Sequence, residues 1–303
     1  MNISIVGTGY VGLITGTCFA EIGHSVTCID IDKDKIDLLK QGASPIYEEG
    51  LNELLTKNIG LQRISFTTSF AEGIPGASLV FFCVDTPPGE YGKADLTNLF
   101  SAVRSCAAHA TQGVVFINKS TAPVGTVGNI KELLAEIAPD KNIDVASNPE
   151  FLAEGTAIKD FFEPDRIIVG VETPRAKNLL QQAYAPVTDK GYAFLATIPP
   201  SAEMMKYASN TFLAMKLSFI NEIADFCELV GADVSEVAYG MGLDARIGTR
   251  FLQAGIGYGG SCFGKDVQAL AMKGEEMGYE FKMVKALIAV NAVRYQLAMR
   301  KLE

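Results

Sequence analysis

The chain has no tryptophan, only two histidines and no Cys-x-x-Cys pair. The missing tryptophan excludes nothing. His24 and His109 both stand outside any motif-rich stretch, which disfavours chemistry built on an imidazole base. The six cysteines, at 18, 28, 83, 106, 227 and 262, are scattered, a spacing that fits neither a zinc site nor a disulfide framework. No metal is expected, and a reducing cytoplasm, where a thiol stays available, is the expected setting. No apolar run reaches the roughly 20 residues that a bilayer demands. Met1-Asn2-Ile3-Ser4-Ile5-Val6 enters a strand at once with no basic segment ahead of it, so no signal peptide is expected. Positive charge is also short. A net charge of -9 argues against a phosphate-backbone partner.

What is present fits a soluble globular chain of 303 residues, long enough for two cores. Short apolar, largely β-branched runs recur at Ile3–Val6, Val26–Ile29, Leu79–Val84, Val114–Ile117, Ile143–Ala146 and Ile167–Val169. Such runs suit strands buried on both faces of a parallel sheet. A helix is expected from Tyr10 to about Ile22, closed by Gly23. The repetition predicts an α/β, doubly wound parallel sheet over residues 1–199.

After Pro199-Pro200 the pattern becomes helical, predicting an all-α domain over 200–303. One long helix is expected from Ser201 to Val230, with Ser201 as N-cap and Glu203 in its first turn. Met205, Ala208, Phe212, Met215, Phe219, Ile223, Phe226 and Val230 recur at three- and four-residue steps, which is one helical face. That face is long and apolar for one small domain to cover. Asp233 and Glu236 resemble a capping box for the next helix. Two further helical segments are expected near 265–277 and 282–302.

Three constellations carry the chemistry. Gly7-Thr8-Gly9-Tyr10-Val11-Gly12 matches G-x-G-x-x-G, follows a strand and opens a helix, where first-turn amides bind pyrophosphate. Asp30 lies 18 residues past Gly12, at the end of the second strand, placed to accept from a ribose 2′-OH. Ile31 follows it rather than an arginine, so NAD is favoured over NADP. The second constellation is Asn148-Pro149-Glu150-Phe151-Leu152-Ala153-Glu154-Gly155; if this segment turns helically, Glu150 and Glu154 share a face. Lys206 and Asn210 are also four apart, and a cation beside an amide stabilises an oxyanion. In isolation such glutamates and lysines are more often solvated surface. The third constellation is Gly257-Tyr258-Gly259-Gly260-Ser261-Cys262-Phe263-Gly264-Lys265-Asp266, read as a glycine-rich loop. Cys262 there is a candidate thiolate nucleophile, against the bland reading of a small buried filler.

Together these motifs resemble the UDP-glucose 6-dehydrogenase family, within the nucleotide-sugar dehydrogenases. Val84-Asp85-Thr86-Pro87, Lys119-Ser120-Thr121, Val124-Gly125-Thr126 and Lys206-Tyr207-Ala208-Ser209-Asn210 belong to the same match. Gly264 stands where the family usually has proline, and Asp85 where small residues are common; Gly264 is expected to loosen the loop after Cys262. The resemblance covers an NAD-binding Rossmann-like domain and a central helical dimerisation domain, and implies that the family's C-terminal α/β domain is lacking.

The resemblance implies a four-electron oxidation of a nucleotide sugar, with UDP-glucose to UDP-glucuronate the leading case, as in polysaccharide biosynthesis. Cys262 would form a thiohemiacetal and then a thioester. Lys206 and Asn210 would stabilise oxyanions, Asp266 would transfer a proton, Glu150 would activate the hydrolytic water, and Thr121 would act near the nicotinamide. Gly7, Gly9, Tyr10, Val11, Gly12, Asp30, Lys35, Thr86, Thr121, Glu154 and Lys265 would contact NAD. Glu150, Phe151, Leu152, Glu154, Lys206, Asn210, Phe251, Leu252, Gln253, Ala254, Gly255 and Gly259 would contact the sugar nucleotide. A homodimer built on the central domain is implied as well. Two alternatives stay open: a two-electron β-hydroxyacid dehydrogenase, and an inactive, dimerising NAD-binding fragment.

Overall fold

The computed structural model describes residues 1–89 and 92–300, without the side chains of residues 261, 262 and 298. The elements run β1 Asn2–Val6, α1 Tyr10–Glu21, β2 Ser25–Ile29, α2 Lys33–Lys40, α3 Leu51–Gly60, β3 Ile64–Thr67, α4 Phe70–Gly73 and β4 Leu79–Phe82. They continue with α5 Thr97–His109, β5 Val115–Asn118, α6 Thr126–Ile137, β6 Asp144–Ser147, α7 Ala157–Phe162, β7 Arg166–Gly170, α8 Pro174–Thr188 and β8 Ala193–Thr197. Four helices follow: α9 Pro199–Val230, α10 Val234–Gly242, α11 Gly260–Glu276 and α12 Lys282–Arg300.

The chain divides into two compact units, Met1–Pro87 with Asp95–Lys206, and Pro88–Ala94 with Tyr207–Glu303. All eight strands lie in the first, in the order β3-β2-β1-β4-β5-β6-β7-β8. Pairing is parallel from β3 to β6; β7 meets β6 antiparallel at Ser147↔Gly170, and β8 runs parallel to β7. The strand alternation explains why the runs are continuously apolar. Ile3, Ile5, Leu79, Phe81, Val115 and Ile117 pack into one core, while Val6, Val80, Phe82 and Phe116 pack into a second on the opposite face.

Two strands have no apolar run to announce them. β3 is four residues long with Ser65 exposed, and β8 is a half-exposed edge strand. The start of α9 also differs from expectation. It begins at Pro199 rather than after Ser201, because prolines at the first helical positions forfeit amides that have no partner anyway. Glu203 does not merely face the α9 dipole. It is buried and accepts from Gly125 N (2.7 Å) and Val127 N (2.9 Å), capping α6. At α10, Asp233 accepts from Ser235 N at 2.7 Å, an Asx turn in place of the expected capping box.

In the second unit the expected glycine-rich loop ends early. α11 starts at Gly260, so Cys262, Gly264, Lys265 and Asp266 stand on the opening turns of a helix. Gly264 therefore does not loosen a loop; it sits inside regular helix. Among the described residues no helix is long and apolar enough to cross a membrane.

Candidate functional site

The nucleotide-binding loop follows from its first glycine. Gly7 holds φ +94°, and a Cβ there would stand 2.7 Å from the Cys83 carbonyl oxygen, so no other residue fits between β1 and β4. Gly9 is the N-cap of α1 and offers no side-chain cap, and no acidic residue occupies the first turn. The first-turn amides of Tyr10, Val11 and Gly12 thus point past the helix end, as an anionic diphosphate needs. At the end of β2, Asp30 Oδ2 accepts from Thr8 N (2.7 Å), Thr8 Oγ1 (2.7 Å) and Lys35 Nζ (3.2 Å). Its Oδ1 accepts from Asp32 N (3.0 Å), which leaves lone-pair capacity on that oxygen for a ribose hydroxyl. Burial pushes the Asp30 carboxyl up, but these hydrogen bonds outweigh it and hold the group below the usual carboxylate range. These residues fit NAD. Ile31, 85% exposed, offers an apolar surface beside the loop. Asp85 is an unusual neighbour: its Oδ1 lies 3.8 Å from where a Cβ on Gly9 would stand.

The segment 148–153 is not helical, so Glu150 and Glu154 do not share a helical face. The two are treated very differently. Glu154 is exposed. Glu150 is buried, with Oε1 2.7 Å from Lys206 Nζ and Oε2 accepting from Leu152 N at 2.7 Å. Phe151 lies against the pair, its ring centroid 5.4 Å from the Lys206 ammonium and 3.8 Å from the Arg166 guanidinium. Asn148 anchors the start of the segment. Its Oδ1 accepts from Lys119 Nζ (3.1 Å) and from the Tyr184 hydroxyl (2.6 Å), and its amide donates to Ile168 O (2.8 Å). Burial holds the Lys119 ammonium below the ordinary lysine range, with Lys206 pushing the same way. Thr86 Oγ1 donates to Thr121 O at 2.7 Å, joining the two loops that follow β4 and β5.

In the second unit, Asn210 Nδ2 donates to Asp266 Oδ2 at 2.6 Å, and both side chains are buried. The run from Phe251 to Gly259 is tied down by residues that no sequence motif marks. Gly255 N donates to Asn221 Oδ1 (2.7 Å), and Gly255 O accepts from Arg294 Nη2 (3.1 Å). Arg294 also donates to Asp225 Oδ2 (2.5 Å). Asn291 exchanges hydrogen bonds with the Tyr258 backbone in both directions. Gly257, at φ +110°, is forced: a Cβ would meet Asn291 Oδ1 at 2.6 Å. Leu252 is buried, whereas Gln253, Ala254, Gly255 and Gly259 are exposed, and Phe251 holds φ +64°. Leu252, Gln253 and Ala254 line a cavity of about 370 Å³ with Val234, Ala238 and Tyr239 of α10.

The Cys262 side chain lies outside the described residues. The other five cysteines are buried. Burial pushes the Cys83 thiol up to about 12 and raises Cys18, Cys28 and Cys106 as well, which removes these four as thiolate nucleophiles. Among the described residues no group of histidine, cysteine and carboxylate side chains is gathered as for a metal.

A dinucleotide-binding α/β unit followed by a helical unit with a long first helix defines the class. Residues 1–188 match the UDP-glucose/GDP-mannose dehydrogenase family, NAD binding domain, and residues 200–293 match the central domain of the same family. The chain belongs to that family, and its first unit is built to bind NAD. A UDP-glucose 6-dehydrogenase of Bacillus subtilis is 50% identical over 292 residues, covering 96% of this chain and 66% of that protein. One from Pseudomonas aeruginosa is 44% identical over 301 residues, covering 98% of this chain and again 66% of the relative. A solved UDP-glucose dehydrogenase from Pyrobaculum islandicum superposes with TM-score 0.94 at 39% identity, covering 99% of this chain and 71% of that one. A ternary complex of GDP-mannose dehydrogenase from Pseudomonas aeruginosa gives TM-score 0.79 at 32% identity, covering 100% and 71%. The chain thus spans about 66% of the length of the curated relatives it matches.

Proposed function

We propose that this chain carries the cofactor and covalent-catalysis parts of an NAD-dependent dehydrogenase that oxidises a nucleotide sugar, UDP-glucose first among them, to the uronic acid. One observation carries the reading. Lys206 and Asn210, four apart on α9, are each buried and each hydrogen-bonded to a carboxylate that the family resemblance assigns to the chemistry, Glu150 and Asp266 respectively.

NAD, when bound, supplies a hydride acceptor, one molecule for each of the two oxidations. The first-turn amides of α1 would hold its diphosphate, and Asp30 would accept from its ribose. Asp266 takes the proton of the C6 hydroxyl as the alcohol becomes an aldehyde. The Cys262 sulfur adds to that aldehyde carbon, giving a thiohemiacetal that keeps the intermediate bound. Loss of a second hydride from the same carbon, together with the proton of its hydroxyl, leaves a thioester, so each sugar consumes two NAD. Glu150 takes a proton from water as the water oxygen attacks the thioester carbon, and the thiolate leaves. Lys206 and Asn210 stabilise the oxyanions formed at C6. Phe251 to Gly255 and Gly259 lie along the sugar nucleotide, and a homodimer forms through α9. The setting is the cytoplasm.

The test counts cofactor. The chain, alone and joined to the remaining third of the Bacillus subtilis relative, is given UDP-glucose and NAD. Two NADH per sugar, with a sugar adduct trapped on Cys262 by mass spectrometry and loss of acid formation in Cys262→Ala, support the thioester route. One NADH per substrate, with activity retained in Cys262→Ala, supports a two-electron β-hydroxyacid dehydrogenase instead. A second reading is NAD binding without turnover by these 303 residues on their own; it requires NAD binding in both forms and activity only in the joined one.

A further inference from the structure

Glu48 is a buried carboxylate with no part in the proposed chemistry. It lies in the link between α2 and α3, and no motif marks it. Its Oε2 accepts from the Tyr10 hydroxyl at 2.5 Å and from Gly155 N at 3.0 Å. Its Oε1 accepts from Ala157 N at 2.8 Å. Gly155 N also reaches the Tyr10 hydroxyl, at 3.3 Å. Burial pushes the Glu48 carboxyl up, yet the hydrogen bonds from Tyr10, Gly155 and Ala157 overcome this and keep it ionised. Tyr10 is the first residue of α1, in the fingerprint loop. Gly155 and Ala157 close the segment that carries Glu150 and Glu154 and open α7, whose Thr156 gives no side-chain cap.

The segment 148–157 is therefore pinned along its length. Asn148 is held by Lys119 and Tyr184, and Glu150 by Lys206. At the far end Asp160 of α7 accepts from Ala153 N (2.8 Å) and Thr156 Oγ1 (3.1 Å), and Glu48 accepts from Gly155 N and Ala157 N. Of these partners Glu48 is the one that also bonds the first turn of α1, through the Tyr10 hydroxyl.

We infer that Glu48 is a positioning residue that couples occupancy of the dinucleotide loop to the order of the Glu150–Gly155 segment through the Tyr10 hydroxyl. The inference rests on the cofactor reading above. A dinucleotide seated on the amides of Tyr10 to Gly12 fixes the first turn of α1. Tyr10 then holds Glu48, and Glu48 holds the amides of Gly155 and Ala157. By reciprocity the ordered segment strengthens dinucleotide binding by the same factor.

Amide hydrogen exchange of peptides covering 148–158, with and without NAD, tests this beside calorimetric NAD affinity. In the wild type, NAD is expected to slow exchange at Gly155 and Ala157 by roughly tenfold, the ordinary size of such coupling. In Glu48→Gln one carboxylate acceptor becomes an amide donor facing a backbone N–H, so the NAD-dependent slowing disappears and NAD affinity falls by the same factor. Tyr10→Phe keeps the carboxylate and its two backbone bonds. It is expected to fold normally, to keep basal protection of the segment, and to lose the NAD-dependent part. A merely structural role would lower protection in Glu48→Gln while leaving the NAD-dependent slowing intact in both variants, and that result overturns the inference. NAD binding by the wild type without any effect on 148–158 overturns it too, with the cofactor reading left standing. Absence of NAD binding by the wild type overturns both.

Discussion

Lys206 Nζ and Glu150 Oε1 sit 2.7 Å apart with side chains only 6% and 7% exposed. An ion pair so far from water gains little over two well-packed apolar residues, but breaking it from one side strands a charge. Lys206→Ala is expected to cost roughly 3 kcal/mol or more of folding stability by denaturant titration. Lys206→Met with Glu150→Gln in the same chain should recover most of that. A cycle in which the two single losses simply add would show that the pair is not coupled, and would remove the buried partnership from the account of the site.

This pair also marks the reach of the sequence. The G-x-G-x-x-G fingerprint, the β-branched strands and the stripe of α9 are written in local spacing, because each depends on neighbours within one or two turns. The partnership of Glu150 with Lys206 is 56 residues apart in the chain, and only the fold supplies it. Glu48, Asn221 and Arg294 are invisible for the same reason: each acts by accepting from or donating to backbone of a distant segment. Glycine richness suits a loop at Cys262, whereas α11 begins at Gly260 and carries Gly264 in its second turn, where glycine costs roughly 1 kcal/mol relative to alanine but does not break the helix.

Lys35 changes the argument for cofactor choice. It is a cation within reach of the ribose end of the loop, yet its Nζ is engaged by Asp30 Oδ2 at 3.2 Å. The wild type is expected to bind NAD more tightly than NADP, since Asp30 repels a 2′-phosphate. Asp30→Ser removes the repulsion and releases Lys35 together. Calorimetric titration should then show the NAD/NADP preference fall by roughly tenfold or more, about 1.4 kcal/mol. An unchanged ratio would mean that another group reads the ribose.

His24 sets a pH dependence for the first unit. Its Nε2 lies 2.8 Å from the Ala183 carbonyl oxygen, so that nitrogen carries the hydrogen. Burial holds the imidazole below its ordinary range. A folded value below the unfolded one, near 6.5, means that the unfolded chain binds the proton more readily. The stabilising contribution is therefore complete above about pH 6.5 and is lost as pH falls toward the folded value. Urea midpoints should drop between pH 7.5 and 5.5, and His24→Gln should flatten that drop. An equal drop in the variant would assign the pH dependence to other groups.

The apolar face of α9 argues for a second copy of the chain. Phe212, Phe219 and Phe226 are seven apart, two helical turns, and so lie on one face. They remain 59%, 47% and 60% exposed, with Leu229 at 82% and Val230 at 58% beyond them. Buried apolar residues along the same stretch, Ala214, Ile220, Ala224 and Cys227, belong to the other side of the helix. Burial of a phenylalanine side chain from water is worth about 1.5–3 kcal/mol, so three left open on one stripe are a substantial unrealised gain. A two-fold axis across the helix would bring each stripe onto its own copy, and such an isologous contact needs about 800 Å² on each partner to be stable. The chain is accordingly expected to sediment as a dimer at micromolar concentration, at twice the 32.5 kDa of the monomer. Phe219→Glu places a carboxylate at the centre of that stripe, where the two-fold axis sets it near its own copy. It should yield monomer with unchanged NAD affinity, since the dinucleotide loop lies in the other unit. Sedimentation of the wild type at the monomer mass would overturn the dimer. A dimer that survives Phe219→Glu would move the interface to another face.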